Sequence, residues 1–170
     1  KHFNEVVFDD ALVPHDALLG NENDGWRQVG SELAIERSGP ERFLSCAVLF
    51  VELLKVLEKD DDQSAKREIG SILANLVTLR SMSLSVSGKL AQGDDVSLQA
   101  VIVKDLGAEF EQTLPGIVHK IVGIEPNLSD DAEPLAQVLA LLTMLAPSFS
   151  LRGGTVEILR GIIAKRLGIS

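Results

Sequence analysis

The chain has 170 residues, 45% of them hydrophobic, with 16 Lys and Arg against 25 Asp and Glu and a formal net charge of −9. That length fits one domain with a sizeable core, and the apolar content excludes a disordered chain. The acidic balance argues against nucleic acid or an anionic membrane as partner, though not against one anionic ligand held by local dipoles.

Residues 5–8, "EVVF", read as a short strand, and "DDALVPHDALLG" as an ordered loop punctuated by Pro14. The sequence offers that strand no partner. Residues 1–22 are therefore expected to be the end of a β domain and a linker, and a chain opening on Lys1 reads as part of a longer protein. "NENDGW" is a helix-start signal with Asp24 as cap. A first helix is expected over 25–58, with Gly39–Pro40 as a candidate kink. "KDDDQ" breaks the pattern. A second helix follows over 64–91, with Ile69, Ile72, Leu73, Leu76, Leu79 and Leu90 on its apolar side. After "QGDD" a third helix spans 96–122, with Pro115 as another candidate kink. "GIEPNLSDDAEP" is a loop, and its Asp130, Asp131 and Glu133 read as helix capping and dipole complement rather than a metal site. "LAQVLALLTML" is a shorter helix and 155–167 is the last. The expected fold is mainly α: a four-helix bundle with an extra short helix over 23–170, preceded by a short remnant of a β domain.

Several chemistries lack their motifs. There is no GxGxxG after a strand, no GxxxxGK[ST] and no CxxC. His2, His15 and His119 lie far apart without metal-ligand spacing, so no metal is expected; His119 reads as a packed or solvated helix residue. Cys46, the lone cysteine, reads as a small core residue and suits a reducing compartment. Runs such as "LALLTMLA" are broken by polar residues, so no membrane span is expected.

Two places carry candidate chemistry. Trp26, Val29, Leu33, Glu36, Pro40 and Phe43 fall on one helical stripe, in which Glu36 is the carboxylate. A buried carboxylate is costly unless paired, and perturbed groups tend to mark sites. The residues alone leave open a salt bridge to another helix or an exposed glutamate. Arg37, adjacent in sequence, should not share the side-chain direction of Glu36. Near the other end, Gly153, Gly154 and Thr155 precede an apolar run. Two glycines let a ligand approach the backbone, and the free N–H groups of a helix start favour an anion. An ordinary capped helix explains the same residues.

"EVVFDDALVPHDALLGNENDGW" followed by "LAIERSGPERF" resembles the junction between the middle β domain and the C-terminal helical domain of flavin-dependent acyl-CoA dehydrogenases. "GGTVEILRGIIAKRLG" resembles the last helix of that family, in the order and spacing it requires. The resemblance implies FAD as cofactor and oxidation of an acyl-CoA to the α,β-enoyl-CoA. A carboxylate takes the α-proton while the β-hydrogen leaves as hydride. In most members the base is a Glu immediately before the Gly-Thr of the final segment, where this chain has Gly153. Some members carry it instead in a Leu-x-x-Glu-Arg pattern on the first helix, which assigns the role here to Glu36. The resemblance also implies a flavin diphosphate near Gly153 and Gly154, contacted by Thr155 and Glu157, and an acyl pocket shaped by Arg37.

Departures accompany these matches. The family's Arg-x-x-Phe-Gly segment falls at "VLEKDDDQSAK", its Gln-x-x-Gly-Gly at "HKIVGIEP", where only Gly123 survives, and its Tyr-Arg-Asp stretch at "AEPLAQVLALLTMLAP". Contacts across the subunit interface therefore look lost while those within the subunit look kept. The resulting expectation is a catalytic, lipid-catabolic acyl-CoA dehydrogenase subunit in the bacterial cytosol. Its partners would be acyl-CoA, an electron-transfer acceptor and further subunits, in a homo- or hetero-oligomer formed through the helical domain. A non-catalytic partner subunit of the same fold and a helical interaction domain are the alternatives.

Overall fold

The computed structural model describes residues 4–58 and 62–169. Six α-helices follow in order: α1 Gly25–Ser38, α2 Ala47–Leu57, α3 Gln63–Ala91, α4 Ser97–Val122, α5 Pro134–Leu145 and α6 Val156–Arg166. Short 3-10 turns lie at His15–Ala17, Pro40–Arg42 and Ala146–Leu151. The mainly helical fold agrees with the sequence.

Helix α4 is the axis of the bundle and packs against each of the other five helices. Its small residues Ala100, Gly107 and Ala108 let neighbours come close. At Gly107 the approach is extreme: a Cβ would lie 2.3 Å from the carbonyl oxygen of Arg42. One core joins Leu49, Leu53, Ile72, Leu114, Leu139 and Phe149, among others, and a smaller one joins Ala34, Val86, Val96, Ala100 and Val103. Pro115 does not end α4. Proline deprives the carbonyl four residues earlier, that of Glu111, of its N–H donor. The buried Cys46 thiol donates to that carbonyl instead, at 3.6 Å. Burial pushes this thiol up to about 12, as expected for an inert core cysteine.

The structure corrects the sequence reading at four points. Residues 4–8 form no strand, and Val6, Val7 and Phe8 are exposed; a strand's backbone groups need a neighbour, and none of the described residues supplies one. The helix expected over 25–58 is two helices, because Pro40 drives Gly39 into extended backbone at ψ 158° and the chain turns before α2. Asp24 stands at the N-cap of α1 without capping it; its carboxylate is taken by Arg27 at 2.8 Å. Glu133 likewise occupies the N-cap of α5 with no side-chain cap bond. The "KDDDQ" break falls largely on 59–61, outside the described residues.

By length and composition alone, α3 and the run Pro134–Arg166 could cross a membrane. In this fold α3 packs along α4, and the second run is interrupted by the 3-10 turn at 146–151 and by Gly153–Gly154.

Candidate functional site

The two stretches singled out in the sequence meet in space. The Gly39–Pro40 break folds the chain back, so that Arg42 reaches the last turns of α1. Its Nη2 donates to Glu36 Oε1, and its Nε donates to the Glu36 carbonyl oxygen at 2.8 Å. The Arg42 side chain is only 6% exposed, whereas that of Glu36 is 40% exposed. The expected burial of Glu36 is thus corrected to half-burial. The stripe is open at its start, where Trp26 is 89% exposed and Val29 is exposed, and closes only at Phe43, which is buried in the core. The buried positions of α1 are Ala34 and Ser38, which face α3 and α4.

Gly153 stands beside Glu36. A Cβ built on it would lie 3.6 Å from Glu36 Oε1, 3.5 Å from Arg37 Cγ and 3.8 Å from Lys104 Cε. These are ordinary van der Waals distances, so a Cβ itself meets no clash. The backbone is the obstacle: φ is +74° at Gly153 and +112° at Gly154, where L-residues are strained. Arg37 also converges here, donating from Nε to the Gly153 carbonyl at 2.9 Å. Its length overcomes the different helical direction expected from sequence. Burial holds the Arg37 guanidinium below its usual value, against the pull of Glu36.

Beneath the loop lie charges that sequence reasoning missed. Lys104 on α4 is 1% exposed and donates to the Phe149 carbonyl at 2.9 Å. Burial pushes it down to about 8, and the cations Arg42 and Arg152 add to that. Glu111, also fully buried, accepts from the Ser45 N–H at 2.7 Å and from Arg152 Nη2 at 3.0 Å. Burial raises the Glu111 carboxyl, while its bonds to Ser45 oppose the rise. Arg152 also lies over the Phe149 ring, 4.9 Å from its centroid. Arg152 also donates to the Ser45 hydroxyl at 3.2 Å, so the residue before Gly153 is clamped to α4 and to the turn before α2. Sequence signals existed: Lys104, Asp105 and Glu111 interrupt a largely apolar run in α4, and Arg42 follows a Gly-Pro break.

Thr155 is the N-cap of α6, but its side chain makes no cap bond to the backbone. Glu157 is exposed; its own backbone N–H and then the Thr155 hydroxyl hold its carboxyl below the usual range. The start of α6 therefore carries a carboxylate of its own. Among the described residues, no group of three or more His, Cys, Asp or Glu could hold a metal. His119 lies at the half-exposed end of α4, 3.6 Å from Glu125.

The family model described as "Acyl-CoA dehydrogenase, C-terminal domain" matches residues 23–168. Among curated proteins, the chain is 28% identical over 170 residues to "Acyl-CoA dehydrogenase FadE34" of Mycobacterium tuberculosis, covering 97% of this chain and 22% of that protein. It is 30% identical over 173 residues to "Acyl-CoA dehydrogenase FadE29" of the same organism, covering 96% of this chain and 44% of that protein. To "Acyl-CoA dehydrogenase IpdE1" of Mycolicibacterium smegmatis it is 28% identical, covering 98% and 42%. The chain thus spans less than half the length of these curated relatives. A solved structure, "Tcur3481-Tcur3483 steroid ACAD G363A variant", superposes with a TM-score of 0.73 at 20% identity, over 93% of this chain and 43% of that one. At that identity the likeness speaks for the fold.

Proposed function

The chain belongs to the acyl-CoA dehydrogenase C-terminal domain family, and from that premise we propose that it is the helical part of an FAD-dependent acyl-CoA dehydrogenase in which Glu36 removes the substrate's α-proton. One observation carries the reading. Gly153, the position that bears the base in most members, would place a Cβ 3.6 Å from Glu36 Oε1. A carboxylate from α1 therefore serves the region that a carboxylate from position 153 would serve. Loss at one place and presence at the other are the same site reached from two directions.

The residues around it take supporting roles. The positive φ values of Gly153 and Gly154 leave a backbone free of side chains beside the start of α6, which fits the approach of a flavin diphosphate. FAD, when bound, supplies the hydride-accepting chemistry. The Thr155 hydroxyl donates to Glu157 and would turn from it to donate to the cofactor. Glu157 is ionised and would repel a phosphate oxygen, so its contact is with a hydroxyl or amide donor of the cofactor. Arg37, fixed on the Gly153 carbonyl, shapes the acyl side of the loop. Glu36 accepts the proton, and its half-exposure is removed when substrate and cofactor cover the open stripe of α1. The missing Arg-x-x-Phe-Gly and Gln-x-x-Gly-Gly segments favour a hetero-oligomer in a bacterial cytosol, with a second subunit completing the flavin contacts.

A second reading, a non-catalytic partner subunit, draws on the same missing segments and on the pairing of Glu36 with Arg42. The test is anaerobic flavin bleaching of the full-length parent by butanoyl-, octanoyl-, hexadecanoyl- and steroid side-chain acyl-CoA. Wild type should bleach, and Glu36→Gln should bleach about 10²- to 10⁴-fold more slowly with flavin retained. A colourless parent, alone and with its partner subunit, would move the assignment to the second reading.

A further inference from the structure

Arg42 has a role that the charges alone do not explain. Its guanidinium is almost fully enclosed, and it grips one residue twice, through the carbonyl and the carboxylate of Glu36. Its own backbone is equally fixed, since the Arg42 carbonyl lies against Gly107 of α4 with no room for a Cβ between them. Arg42 is thus an anchor tied to the central helix. The atom it holds is Oε1, the same oxygen that lies 3.6 Å from the Cβ position of Gly153. Among the described residues, Glu36 Oε2 has no hydrogen-bond partner, and the side chain is 40% exposed on the open face of α1.

Resting on the reading of Glu36 as base, we propose that Arg42 is its positioning residue, holding Oε1 against the Gly153 loop so that Oε2 is the oxygen presented to the substrate α-carbon. A carboxylate on a three-bond side chain samples several rotamers, and proton abstraction needs one of them. A two-point clamp on the carbonyl and on one carboxylate oxygen selects that rotamer and leaves the second oxygen's lone pairs free. When the proton is transferred, it forms an O–H bond at Oε2 as the substrate C–H bond breaks, and the hydrogen bond from Arg42 to Oε1 persists. Lysine cannot reproduce the fork, because its ammonium has no planar pair of donors.

The test is a double-mutant cycle in the full-length parent, reading the rate constant of anaerobic flavin reduction by whichever of the four acyl-CoAs bleaches wild type fastest. Arg42→Gln should slow reduction by about 10²-fold, the scale of a misplaced catalytic group, with flavin content and acyl-CoA affinity within a few-fold of wild type. Arg42→Lys should recover only part of that rate. In a Glu36→Gln background, Arg42→Gln should add less than about 3-fold, because there is no longer a base to position. Equal slowing by Arg42→Gln in both backgrounds would make Arg42 a purely structural residue and overturn the proposal. Should Arg42→Gln fail to fold, Arg42→Lys decides: wild-type reduction rates in that variant would overturn it. A wild-type rate in Glu36→Gln alone would instead refute the base assignment, so the two failures are distinguishable. A parent that binds flavin and bleaches with none of the four acyl-CoAs overturns both.

Discussion

Gly107 offers a sharp test of how the site is held, because a second glycine in the same helix serves as its control. A Cβ at Gly107 would sit 2.3 Å from the Arg42 carbonyl oxygen and 3.1 Å from its carbon, whereas ordinary contact begins near 3.4 Å. Both atoms are backbone, so α4 and the 40–42 turn must separate by about 1 Å for Gly107→Ala to fit, an overpacking that costs about 1 to 3 kcal/mol. The alanine's helix propensity returns roughly 1 kcal/mol at most. Gly116, also in α4, is exposed, and a Cβ there meets nothing within 4 Å. Gly116→Ala should therefore stabilise by about 0.5 to 1 kcal/mol. The helix propensity is common to both variants and cancels, so they should differ by the overpacking cost, about 1 to 3 kcal/mol, in urea denaturation of this chain followed by far-UV circular dichroism. Equal stability of the two would refute the close approach of α4 to the Arg42 turn, and with it the fixed anchor for Glu36.

Gly153→Ala tests backbone strain alone, since its Cβ finds ordinary contacts; at φ +74° it should cost about 1 to 2 kcal/mol in the same denaturation assay. Lys104 sets a pH dependence. Its folded-state value of about 8 lies below its ordinary 10.5, so between these pH values the unfolded chain binds more protons and stability rises with pH. Relative to Lys104→Met, wild type should gain on the order of 3 kcal/mol at most across that window, and a flat difference in thermal midpoint would contradict the burial of a charged lysine. Cys46, buried and raised to about 12, should react with a thiol reagent only after urea unfolds the chain; rapid labelling of native protein would contradict its core position.

Much of the bundle was legible because helical periodicity, caps and breakers are local. Helices α3 to α6 lie within a residue or two of their expected ends for that reason. The division of α1 from α2 was half-legible: Gly39–Pro40 marked a bend, but only the packing of the Arg42 carbonyl on Gly107 shows how complete the turn is. The exposed stripe from Trp26 to Glu36 misled, because an apolar spacing says that a face is covered without saying by what. Glu36 and Gly153 stood out from stripe and glycine pair, the resemblance gave them roles, and their convergence is a tertiary fact that no spacing could give. Arg42, Lys104, Glu111 and Arg152 were missed because a charged residue, on a helix or in a turn, reads as solvated until its neighbours are known.

Glu36 is proposed to perform from α1 the role that the resemblance gives to position 153 in most members of the family. A crystal structure of the full-length parent with FAD and a bound acyl-CoA tests it most directly. Glu36 Oε2 should lie within about 3.5 Å of the substrate α-carbon, with Arg42 still on Oε1. An α-carbon facing a different carboxylate, with Glu36 turned away towards solvent, would contradict it.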